Sequence, residues 1–172
     1  FELASGPVPE PGEAEILVEG GVREILVTNQ IVSSTKIRRL FGVASRAHVT
    51  VAVDNHDNVD DLSMAAQMFG IELGVILEVE CGMNRAGVKP GEAAVALART
   101  VENAPGLRFD GVMGYEGSAV YTEDFDLRKQ QAMESINNLL AAADDIEGAG
   151  LEVKIISAGG TGTYDITGKV DR

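Results

Sequence analysis

The feature that most constrains this chain is an alternation. Five short apolar runs rich in Val and Ile are separated by segments with helical signals. The runs are "EILVTN" (24–29), "HVTVAVDN" (48–55), "LGVILEVECG" (73–82), "LRFDGVMGYEG" (107–117) and "LEVKIISAGG" (151–160). They mostly lack strict polar alternation, which is the pattern of strands buried on both faces of a parallel sheet. Between them, "NHDNVDDLSMAAQMFG" (55–70) opens on an Asn cap and stops at Gly70, and "SSTKIRRLFGVASRA" (33–47) opens on serines. "KPGEAAVALARTVEN" (89–103) carries Pro90 near its first turn. A long helix is expected over 122–150, where Phe125, Ala132, Met133, Ile136, Leu140 and Ala143 recur at spacings of three and four.

Strands alternating with helices imply parallel strands joined by right-handed crossovers. A doubly wound open sheet and a (β/α)8 barrel both satisfy this pattern. The length of 172 residues suits one domain with a core of its own. Residues 1–11 hold three of the five prolines and read as an irregular lead-in, with the α/β domain over 12–172. Aromatic residues are only 5% of the chain, which favours closely packed helix-on-sheet layers over an all-β sandwich.

The net charge of −13 argues against nucleic acid as a partner, since a phosphate-backbone binder carries a basic patch. No apolar stretch reaches transmembrane length, so no membrane partner is expected. No basic segment followed by an apolar one opens the chain, as a signal peptide would. The single cysteine, Cys81, excludes an internal disulfide and fits a cytoplasmic location. The first residue is Phe, which suggests a fragment or a processed form.

Each apolar run ends in a polar or glycine-containing tip, and ligands of parallel α/β folds bind at those strand ends. "SAGGTGTYD" (157–165) offers bare backbone N–H groups and the hydroxyls of Thr161 and Thr163, the chemistry of a phosphate cup. It has neither the Gly-Lys-Ser/Thr of a Walker loop nor dinucleotide-fingerprint spacing, and a plain tight turn is the alternative. "VECGMNRAGV" (79–88) carries Arg85, a donor for a phenolate or carboxylate or else the partner of Glu78 or Glu80. "GYEG" (114–117) puts Tyr115 on the same rim, to stack on a flat ligand or to pack in the core. Glu116 is expected to be a solvated carboxylate rather than an acid/base group. His48 and His56 lack partners at metal-ligand spacing, so no metal is expected on them. No Ser/His/Asp or Cys/His arrangement stands at nucleophile spacing.

"GEAEILVEGGVREILVTNQIV", "VECGMNRAGV", "GYEGS" and "SAGGTGTYD" stand in the order found in the D-threonine aldolase and D-serine dehydratase family. That group is similar to the N-terminal domain of alanine racemase, the fold-type III pyridoxal-phosphate enzymes. The resemblance runs from Gly12 to about Val170 and implies a partial (β/α)8 barrel of about five βα units. It implies that Gly159, Gly160, Thr161, Gly162 and Thr163 hold the cofactor phosphate. Arg85 would face the phenolic oxygen and Tyr115 the pyridine ring, while Asn29 and Gln30 would line the pocket. The expected function is that of a lyase fragment acting on D-amino acids by aldol cleavage or dehydration. The alternatives are a racemase of the same fold and a non-catalytic cofactor- or phosphate-binding module. In this family the Schiff-base lysine lies upstream of the "GEAE" helix, and residues 1–15 contain none. Lys36, Lys89, Lys129, Lys154 and Lys169 do not match the position, so no catalytic residue is assigned and the chain alone is expected to be inactive. A divalent metal and a homodimer are expected only of the full-length enzyme, the metal through residues of a C-terminal β-domain.

Overall fold

The computed structural model describes residues 5–170. The strands are β1 (Ser5–Val8), β2 (Glu24–Gln30), β3 (His48–Val53), β4 (Leu73–Glu78), β5 (Leu107–Met113) and β6 (Ile155–Ser157). The helices between and after them are α1 (Pro11–Glu19), α2 (Ser34–Ala44), α3 (His56–Phe69), α4 (Glu92–Asn103), α5 (Phe125–Gly148) and α6 (Tyr164–Thr167). The strands form one sheet in the order β1-β2-β3-β4-β5-β6. A doubly wound sheet reverses its order at a switch point, whereas barrel strands follow one another sequentially. The observed order is therefore that of a partial (β/α)8 barrel.

Six units are present where about five were expected. The extra one falls in the lead-in expected to be irregular. Ser5–Val8 pairs in parallel with Glu24–Val27, and Pro11 already opens α1, with Pro at the position that loses no helix hydrogen bond. Four residues carrying both Gly and Pro give no strand signal of their own, so pairing to β2 decides their conformation. Residues 1–4 of that lead-in lie outside the described residues.

The chain divides into two compact units, Phe1–Ile76 with Arg99–Asp110, and Leu77–Ala98 with Gly111–Arg172. In the first, β2 and β3 pair from Glu24↔His48 to Val27↔Val51, then slip so that Gln30 faces Ala52. Val27, Val51, Leu40, Phe41 and Leu62 are fully buried, and Phe41 stacks on Phe69 with ring centroids 5.3 Å apart. Each such side chain contributes about 1.5–3 kcal/mol on leaving water. The α3 boundaries follow its signals: the Asn55 side chain accepts from the N–H of Asn58, and Gly70 closes the helix in the left-handed conformation. A polar group lies inside the same unit, where Arg108 Nε and Nη2 donate to buried Asp110 at 2.7 and 2.8 Å.

In the second unit Gly111, Val112 and Met113 of β5 pair with Ile155, Ile156 and Ser157 of β6. The Asp124 side chain caps α5 by accepting from the N–H of Leu127 at 2.8 Å. β6 is only three residues long, shorter than the apolar run 151–160 suggested. Among the described residues no helix is long and apolar enough to cross a membrane.

Candidate cofactor site

Three of the sequence-derived segments, over 79–88, 114–117 and 157–165, lie in the second unit. The end of β4 continues into a loop over 79–88 that closes on itself. Val88 N–H donates to Glu78 O at 2.8 Å and Glu80 N–H donates to Val88 O at 2.9 Å. The Glu80 carboxylate accepts the N–H groups of Gly82 and Asn84, both at 2.8 Å. Those N–H donors, Asn84 first, hold the Glu80 carboxyl below its ordinary value near 4.5. Asn84 takes a positive φ of 52°, a left-handed turn that Asn tolerates.

Arg85 leaves this closed loop half exposed. Its Nη2 lies 3.5 Å from Oε1 of buried Glu78, and its guanidinium carbon stands 5.8 Å from the Tyr115 ring centre. Of the two carboxylates that sequence offered as partners, Arg85 pairs with Glu78. Arg85 thus reaches Tyr115, the central residue of the site.

Tyr115 follows β5, where Gly114 N–H donates to Ser157 O at 3.0 Å and ties the two strand ends together. Cys81 packs beneath, its Sγ 3.8 Å from Tyr115 O, and burial pushes its thiol up to about 11. It is a free, packed and buried thiol. On the other side the Tyr115 ring lies against the glycine loop. A Cβ added at Gly160 would fall 2.8 Å from Tyr115 Cε2, so only glycine permits this approach. Gly159 has φ +95°, which L side chains rarely adopt, and a Cβ there would meet Thr167 Oγ1 at 2.9 Å.

Within the loop the donors divide into two groups. Gly159 N–H donates to Glu116 Oε2 at 3.3 Å, and Gly160 N–H donates to Thr163 Oγ1 at 3.2 Å. The Thr163 hydroxyl donates to Glu116 Oε1 at 2.6 Å. These groups are already satisfied. The N–H groups of Thr161 and Gly162 have no partner among the described residues, and both residues are exposed. Two open N–H groups beside a free threonine hydroxyl make a cradle of anion-binding chemistry, and the loop fits a phosphate on that ground.

Glu116 is the residue that sequence reasoning misjudged. It is 1% exposed rather than solvated, because its partners lie 43 and 47 residues away on the loop after β6. Only its position inside "GYEG", between a ring and a glycine, hinted at a crowded environment.

Asn29 and Gln30 belong to the first unit, at the end of β2 where the register slips. Asn29 is exposed and its Oδ1 accepts from the Gln30 N–H at 3.1 Å. His56 Nδ1 lies 3.0 Å from Thr100 Oγ1. Among the described residues no three His, Cys, Asp or Glu side chains gather as a metal site requires. A groove of about 970 Å³ runs along β6 and α5 and borders the loop at Gly159, Gly160 and Thr161, but neither Arg85 nor Tyr115 lines it.

Comparison with known proteins shows what the chain as a whole resembles. The family model for the alanine racemase N-terminal domain matches residues 8–166. The chain is 40% identical over 153 residues to the 3-hydroxy-D-aspartate aldolase of Paracoccus denitrificans (strain Pd 1222), covering 88% of this chain and 40% of that protein. It is 29% identical over 153 residues to the D-threonine aldolase of an Arthrobacter species, covering 89% of this chain and 40% of that protein. The crystal structure of D-threonine aldolase from Filomicrobium marinum superposes with a TM-score of 0.90 at 34% identity, over 94% of this chain and 44% of that one. The chain therefore spans about two fifths of the length of the curated relatives it matches.

Proposed function

Because the chain belongs to the alanine racemase N-terminal domain family, we propose that it forms the phosphate- and ring-binding part of a pyridoxal-phosphate-dependent lyase that cleaves D-β-hydroxy amino acids by a retro-aldol reaction. The observation that carries this is the junction of three elements: the glycine loop against Tyr115, Arg85 over the same ring, and two open N–H groups in the loop. Identity to the 3-hydroxy-D-aspartate aldolase supports the aldolase reading and an acidic or small β-substituent on the substrate.

When bound, the cofactor supplies the electron sink that accepts the pair released as the Cα–Cβ bond breaks. The chain's own residues hold and orient it. The N–H groups of Thr161 and Gly162, with the Thr161 hydroxyl, take the phosphate oxygens. Gly159 and Gly160 let the backbone approach, and Thr163 fixes the turn. Arg85 would donate to the phenolic oxygen of the cofactor. Tyr115 would contact its ring. None of the five lysines is assigned the covalent role, and no metal is assigned to these residues. The single buried thiol suits a reducing cytoplasm.

The test supplies pyridoxal phosphate and 3-hydroxy-D-aspartate, then D-threonine, to the full-length protein. Glycine with glyoxylate from the first substrate, or glycine with acetaldehyde from the second, supports the reading. Ammonia with a 2-oxo acid, or inversion at Cα without cleavage, contradicts it.

A further inference from the structure

Glu116 is 1% exposed and aims both carboxylate oxygens at one loop. Glu116 sits in the loop after β5, yet among the described residues its carboxylate takes its donors from the loop after β6: Thr163 Oγ1 at 2.6 Å and Gly159 N–H at 3.3 Å. Thr163 is itself fully buried and accepts the Gly160 N–H at 3.2 Å. The Gly160 carbonyl in turn accepts the N–H groups of Thr163 and Tyr164 at 3.0 and 2.9 Å.

We propose that Glu116 is a positioning residue: with Thr163 it pins both ends of the 159–163 turn so that the N–H groups of Thr161 and Gly162 stay open toward a phosphate. The inference rests on the reading of this loop as the phosphate site. Its physical basis is a division of donors. A flexible glycine turn can satisfy its N–H groups on its own carbonyls or on water, and ordering it costs conformational entropy at the moment of binding. Here Glu116 and Thr163 consume the N–H groups of Gly159 and Gly160, which fixes the turn before any anion arrives. The Thr161 and Gly162 donors are then presented at no further ordering cost. Glu116 touches no ligand in this scheme and acts through the loop.

Two measurements on the same variants test this. The first is amide hydrogen exchange of residues 159–163 in the ligand-free protein. Thr163→Val keeps the side-chain shape and removes the hydroxyl. Thr163→Ser keeps the hydroxyl. Glu116→Gln keeps the volume and removes one acceptor. Exchange at Gly159 and Gly160 should rise about tenfold in Thr163→Val and Glu116→Gln, and stay near the native rate in Thr163→Ser. The second is binding of pyridoxine phosphate against pyridoxine, neither of which has an aldehyde to react with a lysine. The phosphate ester should bind about tenfold more weakly to Thr163→Val and Glu116→Gln, with pyridoxine unchanged and Thr163→Ser close to native. Native-like exchange in Thr163→Val, or an equal loss for both probes, overturns the proposal. A native protein that shows no preference for pyridoxine phosphate overturns the cofactor reading instead, and the exchange arm then decides the clamp by itself.

Discussion

Two loops of the second unit are built on the same device and differ in reach. In the loop over 79–88, Glu80 accepts the N–H groups of Gly82 and Asn84, two and four residues ahead of it. In the loop after β6, Glu116 accepts from Gly159 and Thr163, 43 and 47 residues away. The first clamp is local and partly open to water, so its carboxylate loses little if freed. The second is buried, and the Thr163 hydroxyl it accepts has only a longer contact besides, to the Gly160 carbonyl at 3.4 Å. Loop order near a ligand can thus come from either end of this scale, and the price of breaking it differs accordingly.

The largest effect expected is on Glu116. Glu116→Ala leaves the buried Thr163 hydroxyl with only its 3.4 Å contact to Gly160 O and removes the acceptor of the Gly159 N–H, which should lower unfolding free energy by about 2–4 kcal/mol in urea titration. Glu80→Ala should cost only about 1 kcal/mol, because water replaces the carboxylate. Equal costs would erase the distinction between the loops. Next comes Gly160→Ala, whose Cβ would press on Tyr115, with an expected cost of about 1–3 kcal/mol. That cost should shrink in a Tyr115→Ala background, and a double-mutant cycle that shows no coupling would separate the ring from the loop. The smallest effect concerns acid. The folded Glu80 carboxyl sits below its ordinary value near 4.5. Its contribution is therefore complete above that value and is lost as pH falls through the lowered one. Glu80→Gln should show a shallower loss of stability below pH of about 4.5 than the native chain, and an unchanged slope would sharpen the case for other carboxylates.

The same difference in reach separates what was legible in the sequence from what was not. Asn55 and Gly70 mark the ends of α3 through contacts within a few residues, and both are visible in the string. The order of strand tips was equally legible, but the alternation alone fitted an open sheet as well, and the barrel was implied by the family resemblance. β1 was not, because "SGPV" becomes a strand only by pairing with residues 24–27. The site divides in the same way. The loop "GGTGT", Tyr115 and Arg85 stood out as candidates by residue type and by order, and the structure brings them together. Which N–H groups stay open, and that Glu116 is buried, depend on contacts more than 40 residues apart. Arg85 had two carboxylates nearby in sequence, and the closure of its loop through Val88 brings it to Glu78.

The central claim is that the loop after β6 holds a phosphate through Thr161 and Gly162 while Gly159 and Gly160 serve the clamp. Titration of isotopically labelled protein with pyridoxine phosphate, followed by backbone amide resonances, tests it most directly. The amides of Thr161 and Gly162 should shift most strongly and saturate together, with Gly159 and Gly160 moving little and pyridoxine producing no comparable change at this loop. Saturable shifts centred on another segment, or equal shifts at all four amides, would contradict it.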